Sequence, residues 1–238
     1  MKTKTGRFYG IGLGPGDPDL ITVKARRLLR RCSVLCMPRG RENTEGLAIS
    51  LLKKFKTVGS QETIPLSFPM TTDEKRLGDA WNDAASAIAA KLKEGKDVAF
   101  LTEGDPMLYS TFIHVLRSLK RLYPEATVET VPGVSSITAA AARSLTPLGA
   151  GDETLLIVPA VNDEAYLEGT LDRADTVVFL KVNRAFDSLL ALLERKGLAG
   201  KAVLVTRCSM KDETVVRDIR QLKGQKLDYF SLLIVTKK

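Results

Sequence analysis

Asp97-Val-Ala-Phe-Leu-Thr-Glu-Gly-Asp-Pro-Met-Leu-Tyr-Ser-Thr111 passes from an apolar run to a polar turn and then to a helical pattern. Val98 to Leu101 is short and continuously apolar, which suits a strand buried on both faces in a parallel sheet between helices. The run stops at Glu103-Gly104-Asp105-Pro106. Gly104 permits a tight turn or the approach of a ligand, and Pro106 ends ladder pairing. Leu108, Phe112, Val115 or Leu116, and Leu119 then recur at three- and four-residue steps, which predicts a helix. In open α/β sheets small molecules bind beyond the carboxyl ends of strands. The turn is therefore a candidate ligand loop, or an ordinary βα connection.

The same alternation extends in both directions. Phe8 to Leu13 reads as a buried strand running into Gly10-x-Gly12-x-Gly14-Pro15-Gly16-Asp17-Pro18, with the first two glycines of a fingerprint at 10 and 12. This is neither the dinucleotide fingerprint, because Pro15 falls where a third glycine belongs, nor a P-loop, because no Gly-Lys-Ser/Thr follows. Pro15 and Pro18 each remove a donor, so a rigid loop is expected rather than an anion nest. Thr22 is the expected N-cap of a helix through Arg31. Ser33 to Met37 is a second strand, leading into a charged loop at 38–46 that is a mobile flap or a solvated connection.

A helix near 47–54, a weak strand at Val58 to Ile64 and an apolar loop at Pro65 to Met70 follow. Asp73 should then cap a helix whose face carries Leu77, Trp81, Ala84, Ile88 and Leu92, closed by Gly95. Downstream, Thr127 to Val131 is a strand ending in Pro132-Gly133-Val134-Ser135-Ser136, where a serine can cap the next helix.

Thr146-Pro147-Leu148-Gly149-Ala150-Gly151 is the best linker, which divides the chain into an α/β domain at 1–145 and another at 146–238. Strands are expected at Thr154–Val158, Thr176–Leu180, Ala202–Val205, Thr214–Val216 and Phe230–Val235, with helices at Asn162–Leu171 and Arg184–Arg195. The first domain alternates strands and helices, so its sheet should be mainly parallel. The second ends in consecutive strands and should be mixed.

Composition narrows the function. Apolar content of 44% and charged content of 27% are ordinary for a soluble globular chain, and no run reaches the length of a membrane span. The start carries no signal-peptide core, so a cytoplasmic location is expected. Cys32, Cys36 and Cys208 make neither a disulfide framework nor a zinc pattern, and packing is their favoured role. With a single histidine, His114, no metal site is expected. The net charge of +8 favours a polyanion, either nucleic acid or a small polycarboxylate, or is a mixed solvated surface. Aromatic residues do not interleave with the Lys24–Arg31 basic cluster, which speaks against an RNA-stacking platform.

Three loops at predicted strand ends, 12–18, Glu103-Gly-Asp-Pro-x-x-Tyr109 and Val131-Pro-Gly-Val-Ser-Ser136, occur in an order that resembles the tetrapyrrole methylase family across essentially the whole chain. Leu66-Ser-Phe-Pro-Met-Thr71, the 100–111 run, Thr130 to Ala139 and Lys181-Val-Asn-Arg184 look like the branch that methylates C20 of precorrin-2 or cobalt-precorrin-2 on the way to vitamin B12. The resemblance implies two α/β domains with S-adenosylmethionine in a cleft between them, held largely by backbone groups, in a homodimer. The matching cofactor positions are Pro15, Glu103, Gly104, Asp105, Leu108, Ser135, Ser136, Leu180, Lys181, Val182, Asn183 and Cys208.

Methyl transfer from a sulfonium is an in-line displacement that needs positioning more than a nucleophilic side chain. A proton must leave the meso carbon, and Asp105, Glu103 and His114 are candidate bases. Arg39, Arg41 and Arg184 are candidate clamps for substrate carboxylates. The expected partner is thus a polycarboxylate tetrapyrrole, with no nucleic acid and no membrane. Alternatives are a family member acting at another ring carbon, a relative methylating ribosomal RNA ribose, and a non-catalytic binder of the cofactor. The failed fingerprint disfavours a nicotinamide dehydrogenase.

Overall fold

A computed structural model of the chain describes residues 5–38, 61–69, 71–160 and 162–238. The helix expected at 47–54, the loop after Pro38, Met70 and the first part of the weak strand lie outside the described residues. The chain falls into two compact units, Met1–Ser135 and Ser136–Lys238. Among the described residues no helix is long and apolar enough to cross a membrane.

Among the described residues the first unit carries a five-stranded sheet in the order β3-β2-β4-β1-β5, every pair parallel. Its strands are β1 (Phe8–Gly12), β2 (Val34–Pro38), β3 (Glu62–Leu66), β4 (Val98–Thr102) and β5 (Val128–Val131). The apolar run expected at the centre is β4, fully buried from Val98 to Leu101. Side chains alternate across it as the pleat requires. Phe8, Val98 and Phe100 face a core shared with α2 (Glu74–Lys93) and α3 (Phe112–Leu122). Tyr9, Ile11, Ala99 and Leu101 face a second core shared with α1 (Val23–Arg31).

The expected caps form. Thr22 Oγ1 accepts from Ala25 N at 3.2 Å, and Asp73 Oδ1 accepts from Lys75 N and Arg76 N. Gly95 closes α2 with a φ of +77°, the left-handed value that a C′ glycine adopts without strain.

Two local expectations fail. The stretch from Pro65 is not wholly an exposed apolar loop, because Pro65 and Leu66 belong to β3 and Leu66 is buried. Phe68 lies 6.4 Å from the Phe100 ring. As β3 is an edge strand, a proline without an N–H is tolerated in it. Leu108 also lies outside the helix that follows β4, which begins only at Phe112. Tyr109 takes a φ of +52°, and the Ser110 hydroxyl accepts the Phe112 N–H at 3.1 Å, so the helix starts there.

The second unit is a mixed sheet in the order β6-β7-β10-β8-β9. It comprises β6 (Leu155–Pro159), β7 (Thr176–Leu180), β8 (Ala202–Thr206), β9 (Thr214–Val216) and β10 (Ser231–Thr236). Only β6 and β7 pair in parallel; β10 runs antiparallel to both its neighbours. Helices α5 (Glu164–Arg173) and α6 (Phe186–Arg195) cover it, burying Leu167, Leu189 and Leu193 against Phe179 and Leu233. Helix α4 (Ser136–Ser144) also belongs to this unit and packs on β8. The first compact unit ends ahead of α4, at Ser135.

Candidate functional site

The register of the first sheet brings three loops side by side. Ile11 of β1 is level with Leu101 of β4 and with Val131 of β5, so the strands end together. The loop after β1 does not leave β4 at once. Leu13 N donates to Thr102 O at 2.9 Å, and Gly104 N donates to Gly14 O at 2.8 Å. Gly14 and Gly104 both adopt left-handed φ values, +81° and +63°, which allow this reciprocal contact.

The third loop locks onto the same point. A Cβ on Gly133 would sit 2.1 Å from the Gly104 carbonyl oxygen, and one on Gly12 would sit 2.5 Å from that oxygen and 2.7 Å from Gly133 N. Three backbones meet where a side chain would have to be. Asp105 completes the junction: its Oδ1 accepts from Met107 N at 2.8 Å and its Oδ2 from Gly133 N at 3.1 Å. Thr102 and Ser110 share a 2.8 Å hydroxyl contact that closes the second loop on itself.

This junction shapes what faces solvent. Met107 and Tyr109 are half exposed, at 52% and 50%, and Leu108 stands beside them. Pro15 is buried, while Gly104, Asp105, Ser135 and Ser136 are half-buried. The Glu103 side chain keeps open surface, yet protein atoms crowd it closely enough that desolvation pushes its carboxyl up to about 7.

His114 is not at this junction. It lies flat on Trp81, with ring centroids 4.1 Å apart, in the contact between α2 and α3, and burial lowers its pKa. Cys32 and Cys36 are buried in the cores with thiols pushed by desolvation to about 12, as packing residues should be. Among the described residues no cluster could hold a metal ion.

The second unit places its expected positions at two strand ends. Leu180 closes β7, and its carbonyl accepts from Ala160 N at 2.9 Å. Lys181 adopts a φ of +56° and extends its ammonium over the Tyr229 ring at 5.5 Å. Val182 is buried, Asn183 half-buried and Arg184 exposed. Beyond β8, buried Cys208 lies between two left-handed residues, Arg207 at +50° and Ser209 at +62°. Non-glycine residues hold such values only where surrounding contacts enforce them. Here Ser209 N donates to Glu213 Oε2 at 2.6 Å, Arg143 Nε donates to Glu213 Oε1 at 2.7 Å, and Arg207 N donates to Phe230 O at 2.9 Å.

Gly12 and Gly133 shape the loop junction of the first unit, and Glu213 holds the turn after β8 in the second; none is among the site positions expected from the sequence. The two glycines carried a signal, since each stands in one of the three motifs. Glu213 carried none. Arg39 and Arg41 lie outside the described residues. Two surface concavities, of about 400 Å³ beside Leu145 and Pro147 and about 630 Å³ along Arg26 and Arg30, involve none of these positions. Neither gathers convergent polar groups from several strand ends, and the loop junction does.

The sequence profile of the family described as Tetrapyrrole (Corrin/Porphyrin) Methylases matches residues 7–222. The chain belongs to this family. Among relatives of this tetrapyrrole methylase, the cobalt-precorrin-2 C(20)-methyltransferase of Salmonella typhimurium is 34% identical, over 98% of this chain and 97% of that protein. The precorrin-2 C(20)-methyltransferase of a Sinorhizobium species is 32% identical over 97% and 95%. Among solved structures, the uroporphyrin-III C-methyl transferase of Thermus thermophilus, complexed with S-adenyl homocysteine, superposes with a TM-score of 0.66 over 98% of this chain and 98% of that one. At 23% identity it supports the fold alone.

Proposed function

We propose that this methylase transfers a methyl group from S-adenosylmethionine to C20 of precorrin-2 or cobalt-precorrin-2. The observation that carries the reading is the junction of three glycine loops at level strand ends, in a chain whose full-length relatives bear the C20-methyltransferase name. A sulfonium donor brings an already activated methyl group, so what the protein must supply is placement. The residues present are suited to placing a ligand. They form a wall of interlocked backbone with the carbonyl-rich Gly104 turn at its centre and Leu108 on its open side. Such a wall presents fixed dipoles and has little freedom to lose on binding.

Pro15, Gly104, Leu108, Ser135 and Ser136 are the proposed donor contacts in the first unit. Leu180 to Asn183 and the backbone at Cys208 are the proposed contacts in the second. Asp105 holds the wall together through its own N–H partners. Arg184, exposed just past β7, is a proposed clamp for a substrate carboxylate. A homodimer in the cytoplasm is part of the same reading, and light scattering tests the assembly.

The deciding experiment supplies precorrin-2 and cobalt-precorrin-2 with methyl-¹³C donor and locates the label by NMR. Label at C20 is expected. Label at another ring carbon would move the assignment within the family, and calorimetry showing no affinity for S-adenosylmethionine or S-adenosylhomocysteine would overturn it. Whichever macrocycle reacts decides whether cobalt precedes methylation. With the reactive macrocycle, Arg184→Ala should weaken affinity most at low salt. Equal affinity at every ionic strength would remove the clamp.

A further inference from the structure

We propose that Glu103 is the proton acceptor that completes the reaction. This rests on the methyl transfer proposed above. When C20 attacks the sulfonium methyl, a C–C bond forms and the C–S bond breaks, its electron pair passing to sulfur. C20 then carries both the new methyl and its original hydrogen. Full conjugation returns only when the C20–H bond breaks, its electrons re-entering the macrocycle and its proton going to a base.

The structure removes the other candidates one by one. Both Asp105 oxygens face inward, each accepting a backbone N–H, at 2.8 and 3.1 Å. His114 is stacked on Trp81 in the helix layer. The thiols of Cys32, Cys36 and Cys208 are buried and raised by desolvation. Glu103 differs from all of them. It stands at the carboxyl end of β4, directly before the wedged Gly104, with open surface. Among the described residues no cation and no hydrogen-bond donor is paired with its carboxyl.

The backbone beneath it cannot drift, because the Gly104 carbonyl is enclosed by Gly12 and Gly133. A carboxyl with no partner among the described residues, anchored beside the closely packed Gly104 turn, is poised to act on a ligand. Desolvation supports the assignment by moving its titration to about 7, where a base serves best at neutral pH. The charged groups on the neighbouring described loops are Asp105, Asp17 and Asp19. Asp17 is occupied in accepting from Asp19 N at 2.9 Å, and residues 131–136 carry no charge.

The test compares wild type, Glu103→Gln and Glu103→Asp, using S-adenosylhomocysteine for binding and the reactive macrocycle, with and without deuterium at C20, for turnover. Glu103→Gln keeps the backbone through which this position would hold the donor, so it should bind S-adenosylhomocysteine as the wild type does, yet methylate about 10²- to 10⁴-fold more slowly, the span expected for a lost general base. Deuterium should slow the variant more than the wild type, because proton removal becomes limiting. The wild-type turnover number, kcat, should rise with pH to a plateau above about 7. Glu103→Gln should lack that limb, and Glu103→Asp should recover part of the rate.

Wild-type turnover in Glu103→Gln would overturn the assignment. So would a loss matched by weakened S-adenosylhomocysteine binding with no new isotope effect, since Glu103 would then be a donor contact. Absence of methyl transfer by the wild type to either macrocycle would overturn the underlying function, and this role with it.

Discussion

Gly133→Ala should be among the most damaging single substitutions in the chain, although it adds one methyl group. The added carbon would lie 2.1 Å from the Gly104 oxygen and 2.9 Å from Gly12 Cα, and all of these neighbours are backbone. No rotamer change can relieve the clash. Either the β4 turn or the end of β1 must move, and both are tied by the Gly14–Gly104 bridge and by parallel pairing. Overpacking of this kind costs about 1–3 kcal/mol, and more where nothing flexible can yield. Denaturant unfolding should place the loss at or above that range, with S-adenosylhomocysteine affinity falling alongside.

Gly78→Ala supplies the contrast. Gly78 lies inside α2, and a Cβ there meets nothing within 4 Å. Replacing a mid-helix glycine should stabilise by about 0.5–1 kcal/mol. A Gly133→Ala protein that unfolds at the wild-type denaturant concentration would show that the three loops are not interlocked.

That contrast also marks how far the sequence could be read. Strands declare themselves by composition whether buried, as β7, or largely exposed, as β9: both have the bounds expected of them, because their apolar or β-branched runs stop at polar turns. Caps at Thr22 and Asp73 were legible for a similarly local reason: a short polar side chain precedes a helical pattern. Leu108 was misplaced because its spacing fits a helix, whereas the left-handed Tyr109 and the Ser110 hydroxyl start the helix later. Spacing alone does not carry that information.

Chain order alone would leave helix α4 with the first unit. Its packing on β8 is a tertiary fact that no local pattern reports. The glycines of the three loops were visible as turn formers. What the sequence could not show is that Gly12 and Gly133 are needed because two other backbones occupy their side-chain space. That follows from strand register, which composition does not specify. Glu213 was invisible for the same reason, since its partners Arg143 and Ser209 come from separate parts of the second unit.

Asp105→Asn is the sharper of the remaining expected results, because the variant keeps shape and loses only charge and one acceptor. The native carboxylate spans two loops: Oδ1 takes Met107 N within its own loop, and Oδ2 takes Gly133 N from the loop after β5. An asparagine offers one oxygen. Whichever way the amide turns, its NH₂ must face one of these two N–H groups, so one donor is left unsatisfied and a second is pushed against it. Hydrogen bonds to a charged acceptor contribute about 1.5–3 kcal/mol each, and an abandoned half-buried donor adds its own penalty. Asp105→Asn should therefore be nearly as destabilising as Asp105→Ala, which gives up both bonds without creating the repulsion.

The consequence for ligand binding follows from position. Without the Oδ2 contact, the Gly133 loop is held to the Gly104 turn by packing alone, and the wall loses its fixed spacing. If only one bond's worth of preorganisation is lost, S-adenosylhomocysteine affinity should fall about tenfold or more, since about 1.4 kcal/mol is a factor of ten. Calorimetry on the folded variant reads that loss. Amide hydrogen exchange at Gly133 and Met107 shows whether it comes from the loops: both N–H groups should lose protection while the β1 and β4 ladders keep theirs. Wild-type affinity together with undiminished protection at Gly133 would mean that Asp105 does not tie the loops, and the wall would then owe its form to glycine packing alone.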